Sequence, residues 1–239
     1  MTGLGTIINV GAIVVAGLGG SLFGKALKKQ MQDTLMKACG LCVIFLGIGG
    51  SLTEMLQINQ DKLVSSGSMM MIGCFILGSI VGELLDIELR LEQFGQWLKV
   101  KTKSEGESGF VAGFVDTSLI VCIGAMAIVG AIEDGITGDY SLLTAKSVLD
   151  FIIVFVMTSS RGKGCIFSAI PVGILQGTVT ILAKVIEPIM TTQALSNLSL
   201  IGSMMIFCVG VNLIWGKKIK AANMLPALIV TVIWALVTG

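Results

Sequence analysis

Two opposite charges four residues apart inside an apolar run are the first place to look for chemistry. In LLTAKSVLDFIIVFVMTSSRGKG, Lys146 and Asp150 fall on one helical face and can pair. A pair of that kind, held away from water, can carry a proton or meet a charged solute. Gln176 lies in the next apolar run with an amide that both donates and accepts, and Thr178 and Thr180 follow it with hydroxyls. Before the pair comes an acidic turn punctuated by glycine: Glu133, Asp134, Gly135, Gly138 and Asp139. Its carboxylates are either an ordinary solvated turn or an outer mouth that attracts cations. After the pair comes TSSRGKG, where Ser159, Ser160, Gly162 and Gly164 make a hinge. Open amides at the start of the following helix would favour an anion there; a plain basic turn is the other reading. Asn212, near the end of a later apolar run, can bond across helices, and Asp116 stands early in an earlier one.

What positions these groups is a set of membrane helices. Apolar residues make up 54% of the chain and charged residues 13%, with mean hydropathy +0.93, against about 25% charged in typical soluble domains. The 239 residues divide into eight apolar stretches, each near the ~20 residues that cross hydrocarbon as a helix. They are Ile7–Leu27, Met36–Leu56, Gly67–Ile87, Phe110–Ile132, Leu142–Ser160, Cys165–Ile186, Leu195–Trp215 and Ala221–Val237. A seven-span arrangement, with one of the last two lying shallow, is the rival. Thirteen of the sixteen Lys and Arg fall in or beside the first, third, fifth and seventh connections. That alternation predicts those connections inside and both termini outside. Ile87, Leu91, Phe94 and Leu98 recur at helical spacing after span three, which predicts an amphipathic helix at the membrane surface.

The expected fold is therefore an all-α polytopic bundle, one membrane domain over residues 1–239. Matching GSLFG at Gly20–Gly24 and GSIVG at Gly78–Gly82 suggests repeat units 1–64 and 65–140, with 141–239 as the remainder. Spans two and seven run in opposite senses, which also permits an inverted relation. Thirty-one glycines let helix backbones approach closely where lipid gives no hydrophobic drive to pack. Counted from the hinge at about 1.5 Å per residue, Asp150 lies about 18 Å deep and Gln176 about 21 Å. Spans joined by so short a hinge are antiparallel neighbours, which places both side chains near one level at the midplane.

Much is excluded. There is no histidine, the commonest general base and metal ligand. No Walker loop, nucleophile elbow, HExxH or dinucleotide fingerprint is present. Asp139 and Asp150 are about 16 Å apart if helical, too far to share a proton. The six cysteines lie in or beside apolar stretches and behave as small apolar residues. The expectation is no enzyme, no cofactor and no metal. Partners are lipid and a small ion or solute, not nucleic acid, with self-association left open.

The run SLIVCIGAMAIVGAIEDGITGDYSLLTAKSVLD, together with SAIPVGILQGTVTILA and VGVNLIWGKKIKAANMLPAL, resembles the bacterial membrane-protein family called domain of unknown function 554. The likeness covers the whole chain. It implies a multi-pass protein of the bacterial inner membrane with no settled activity. By that likeness Glu133, Asp134, Asp139, Lys146, Asp150, Gln176 and Asn212 occupy the family's polar positions. The chain departs from the pattern at Asp116, where a small or hydroxyl residue is expected, and at Arg161, where the pattern is more apolar and Gly-rich.

Together these readings predict a transporter or channel for a small ion or polar solute. Its site lies near the midplane between spans four, five and six. Asp150 and Lys146 carry the charge, and Gln176, Thr178 and Asn212 meet the solute. The alternative is a structural or accessory membrane subunit whose polar pairs only hold helices together. A water-filled cavity reaching Asp150 and Gln176 favours the first, and a dry interior favours the second.

Overall fold

Inside a bilayer only a helix or a closed barrel satisfies every backbone amide, and these apolar runs take the helical solution. The computed structural model describes residues 2–59 and 62–238. Helix α1 (Leu4–Ala26) is followed by α2 (Lys29–Met55) and a hairpin of β1 (Leu56–Asn59) with β2 (Lys62–Ser65). Then come α3 (Ser68–Leu85), α4 (Ile87–Lys101), α5 (Phe110–Cys122) and α6 (Ala125–Ile136). The chain continues through α7 (Ser141–Arg161), a 3-10 segment Lys163–Ser168 and α8 (Ala169–Ile181). A short α9 (Ala183–Ile186), α10 (Thr192–Trp215), a 3-10 turn Ala221–Met224 and α11 (Pro226–Thr238) complete it.

Among the described residues seven helical stretches are long and apolar enough to cross a bilayer, and the pair α5–α6, bent by 61°, makes an eighth if taken together. Contacts at its two ends show that the bent pair does run through the bundle. Gly109, just before α5, packs on the Arg161 carbonyl, where an added Cβ would stand 2.6 Å from the oxygen. Asp134, near the end of α6, bonds the amides of Gly3 and Gly5 in the first turn of α1. Arg161 and the start of α1 lie at opposite ends of the bundle, because the C-terminal Gly24 of α1 packs on Ser159.

Four boundaries differ from the sequence reading. The second helix starts at Lys29 rather than Met36. At 27 residues it is about 40 Å long, so its first turns project beyond ~30 Å of hydrocarbon. Those turns carry an exposed Lys37–Asp33 pair, 2.8 Å apart. The fourth span is broken rather than continuous, and the sixth ends at Ile181 rather than Ile186. The hairpin at 56–65 was not anticipated, although Leu56 and Ile58 alternate with Gln57 and Asn59 at strand period. The surface helix after span three is a separate element. Asp86 takes φ 51 and ψ 49, turning the chain between α3 and α4. Helix α4 buries Glu88, Gly95 and Leu98 and exposes Leu89, Trp97 and Val100.

Small residues set the helix contacts. The Gly20 and Gly24 surfaces of α1 meet the α7 backbone, Gly78 of α3 meets Ala227 at the start of α11, and Gly82 meets Asn223 in the 3-10 turn before it. On α2, a Cβ at Gly47 would stand 2.6 Å from the Phe207 amide nitrogen of α10. Large apolar side chains such as Phe45, Leu84, Ile181 and Ile229 point outward, as lipid-facing residues do. Lys- and Arg-rich connections gather at one end of the bundle, called the basic end below.

Candidate functional site

The break between α5 and α6 builds the site. Ile123 is extended, and Gly124 takes φ 143 and ψ 146, a region open to glycine and strained for other residues. Gly202 of α10 supports it, since a Cβ there would stand 3.1 Å from Ile123 Cγ2 and 3.7 Å from the Gly124 nitrogen. Interrupting the helix leaves carbonyls of the last α5 turn without their intrahelical amide. Lys146 Nζ donates to one of them, Val121 O, at 2.8 Å, and also donates to Asp150 Oδ2. Asn9 Nδ2 donates to the same Asp150 oxygen at 3.0 Å and to Gln176 Oε1 at 3.3 Å. Exposures are 6% for Lys146, 4% for Asp150, 1% for Gln176 and 0% for Asn9. Four spans thus meet on one neutral ion pair. The expected grouping of Lys146, Asp150 and Gln176 is present, and α1 joins it.

Hydrogen bonding there is incomplete. Asn9 Oδ1 and Gln176 Nε2 are buried without a partner, as are the hydroxyls of Thr117, Ser118, Thr158 and Ser160 nearer the basic end. A turn further from the basic end, the Thr6 and Thr180 hydroxyls face each other at 3.5 Å. They floor a crevice of about 410 Å³ shared with Gly3, Ile7 and Gly135. At the basic end a cavity of about 540 Å³ is lined by Glu88, Glu92, Asp116, Arg161, Asn212 and Lys217, and reaches Leu119 on α5. Neither space touches Asp150 or Gln176. Ile13, Ala16, Val121, Val154 and Val172, each 0% exposed, pack a dry layer beside the pair on its basic-end side. Of the two outcomes set against each other, a water-filled cavity or a dry interior at Asp150 and Gln176, the structure has the second, a closed polar network.

Other expected site residues are dispersed. Thr178 is exposed on the far side of α8, because two residues turn a helix about 200°, whereas Thr180, four on, shares the Gln176 face. Asn212 is buried near the basic end of its span, as its place in the sequence implies, and so lies away from the midplane pair. Its Oδ1 accepts from the Lys218 and Ile219 amides at 2.9 Å each, and its Nδ2 donates to Ile219 O at 2.7 Å. Its amide therefore closes the turn after α10. In the acidic turn only Glu133 and Asp139 face out. Asp139 accepts from the Ser141 hydroxyl at 2.6 Å and amide at 2.9 Å, which hold its carboxyl below the usual range. Asp134 is 0% exposed and caps α1, accepting from Gly3 at 3.1 Å and Gly5 at 3.0 Å.

The hinge is likewise already occupied by the chain itself. The Lys163 amide donates to Glu107 Oε2 at 2.9 Å, so the chain's own carboxylate takes the place the anion-binding reading gave to an outside anion. Ser159 Oγ donates back to Phe155 O at 2.7 Å. Gly162 (φ 91) ends α7, and Gly164 lets the 3-10 segment press on the Phe110 carbonyl. Asp116 and Arg161, the two departures from the family pattern, face each other across 3.6 Å. Beside them Lys217 lies 2.6 Å from Glu88 and also pairs with Glu92. Partial burial works against its charge, yet the two carboxylates win and raise its pKa.

Residues 4–236 match the family described as protein of unknown function (DUF554). The chain belongs to this family. It is similar to the uncharacterized membrane protein YdfK of Bacillus subtilis (strain 168), 29% identical over 226 residues, covering 95% of this chain and 93% of that protein. It is also similar to the uncharacterized protein YqgA of Escherichia coli (strain K12), 26% identical over 230 residues, with 95% and 93% covered. No solved structure matches. With bacterial relatives over 95% of its length and, among the described residues, seven to eight helical stretches able to cross a bilayer, the chain is a multi-pass membrane protein. Within this family member the sequence reading missed Asn9, Thr6, the Val121 carbonyl and the Gly124 break. Asn9 had a signal, being an amide in the otherwise apolar stretch TIINVGAIVVAG, where a buried polar group marks a site by default. The break had only the single glycine of VCIGA.

Proposed function

We propose that this protein is a transporter for a small ion or polar solute, with the Lys146–Asp150 network as its central site and the structure as its closed form. The observation that carries the reading is the interrupted span. A helix broken at Gly124 exposes carbonyl dipoles at bilayer depth against a buried ion pair, an arrangement tolerated where backbone meets a cavity, an ion or protein. One further feature supports it: Asn9 Oδ1 and Gln176 Nε2 are left without partners in the same network. Alternating access requires a state sealed on both sides, with the Thr6–Thr180 contact and the Asp116–Arg161 pair as the two closures. The positive-inside bias assigns the basic end to the cytoplasm and both termini to the outside of a bacterial inner membrane. No nucleotide-binding motif is present, so any driving force is an ion gradient.

The dry layer of Ile13, Ala16, Val121, Val154 and Val172 favours the second reading, a structural or accessory subunit. Reconstitution separates the two. The full chain is placed in vesicles holding proton- and sodium-sensitive dyes, and an ion gradient is imposed. Transport gives flux above protein-free vesicles that Asp150→Asn removes. Flux equal in wild type, Asp150→Asn and empty vesicles leaves the accessory reading standing.

A further inference from the structure

We infer that the Lys146 ammonium fills a seat built for a monovalent cation, and that a chain deprived of that ammonium takes a sodium ion in its place. The inference uses the residues of the proposed site but does not need transport to be correct.

The seat is recognisable from its ligands. An i, i+4 Lys–Asp pair needs nothing beyond its own helix. Here the ammonium is also held by Val121 O, 2.8 Å away on another span. That carbonyl belongs to the C-terminal turn of α5, which ends at Cys122. A helix C-terminus carries the negative end of the helix dipole, aimed here at the same point as the Asp150 carboxylate. A carbonyl oxygen and a carboxylate oxygen are what a hard cation binds. The remaining neighbours come from α1 and α8. Asn9 donates to Asp150 through Nδ2 at 3.0 Å, while its Oδ1, in a side chain with 0% exposure, has no partner. Rotating that amide by half a turn puts its oxygen where its nitrogen stands, beside Asp150, as a third oxygen ligand. Gln176 Oε1, 3.3 Å from Asn9 Nδ2, then has its acceptor free as well.

Charge selects the class of ion. One carboxylate, Asp150, faces the seat, and the other titratable group beside it is the Cys122 thiol of α5. A single negative charge matches one positive charge and leaves a divalent ion uncompensated. The chain's own ammonium therefore does permanently what a diffusing ion does reversibly in an equivalent site. Wild-type protein is accordingly indifferent to sodium.

Lys146→Met tests this, because methionine keeps the stem of the side chain and removes only the charged end. The purified full-length protein is melted in detergent, in sodium chloride and in choline chloride at equal ionic strength. The expected result is a saturable rise in melting temperature of several degrees with sodium for Lys146→Met. Wild type and Lys146→Met/Asp150→Asn give the same melting temperature in both salts. Equal melting of Lys146→Met in sodium, potassium, lithium and choline overturns the inference. Should Lys146→Met aggregate in choline, its monodispersity on extraction into sodium replaces melting as the readout, and Lys146→Ala is run beside it. Aggregation of both variants in every salt also overturns it, since a metal able to fill the seat would rescue the fold. The readout is stability, so an inactive transporter with a sodium seat stays distinguishable from an active one without it.

Discussion

The Lys146 ammonium reaches the Val121 carbonyl, twenty-five positions earlier in the chain, at 2.8 Å. One hydrogen bond thus ties the second turn of α7 to the last turn of α5, at the level where that span is interrupted. A lysine in the middle of a bilayer is costly, about 2.5–3.5 kcal/mol on insertion scales. Here the cost is offset by Asp150 and by a carbonyl that the break at Gly124 has left without its own amide.

Removing one member of a buried pair costs about 3–5 kcal/mol, because the other charge is left behind. Lys146→Leu and Asp150→Leu are each expected to lower the melting temperature sharply in choline salts. The double variant is expected to recover most of that loss. Melting of all four proteins gives the coupling directly. If the pair also works in transport, the double variant regains stability and still shows no flux in vesicles.

Gly124 holds φ 143, and an L-residue there is strained by about 1–3 kcal/mol. Gly124→Ala is expected to destabilise the protein although nothing lies within 4 Å of the added methyl. Gly202→Ala is expected to cost less, since its Cβ only crowds Ile123 Cγ2 at 3.1 Å. Comparing the two melting temperatures separates backbone strain at the break from crowding beneath it.

Asp134 is expected to behave as a cap and not as part of a mouth. Asp134→Ala strands the Gly3 and Gly5 amides, at about 1–3 kcal/mol for buried donors left unsatisfied. Hydrogen exchange at the first amides of α1 should speed up, with the basic end unaffected. Glu133→Ala, on an exposed neighbour, should leave the same amides unchanged.

At Gly82 of α3 an added methyl would run into the Asn223 carbonyl, whereas at Gly49 of α2 it meets nothing within 4 Å. Gly82→Ala is therefore expected to separate α3 from α11 and to reduce the yield of monodisperse protein. Gly49→Ala should be neutral or stabilising, by up to about 1 kcal/mol of helix propensity. Size-exclusion profiles after extraction distinguish the two.

Much of this architecture was legible because its causes are local. Apolar length gave eight crossings, and Lys and Arg placement gave one basic end. The spacing of Lys146 and Asp150 gave a pair that the structure contains. Depth counted from the hinge put Gln176 at the right level, but the expected packing of α7 on α8 is not what forms: α1 packs against both, and Gln176 meets the pair through Asn9. Local causes also account for the misses. Thr178 and Thr180 both followed Gln176 in sequence, and only helical phase told which of them turns inward. Asp134 and Glu133 are adjacent in an acidic turn, and which one is buried depended on α1 arriving above them.

By itself the amino-acid sequence determined a helical membrane bundle, its basic end, its family and a charged pair at mid-depth. Each of these follows from hydropathy, charge count or i, i+4 spacing, which need no knowledge of distant neighbours. Tertiary structure alone decided that Asn9 joins the pair, that Val121 gives it a carbonyl, and that Ile13, Val154 and Val172 close it off toward the basic end. Those outcomes rest on which helix faces which, across twenty-five residues of chain for Val121 and more than a hundred for Asn9. In lipid that choice is made by small-residue surfaces such as Gly20 and Gly24 on α7, where close fit of whole backbones outweighs any local preference.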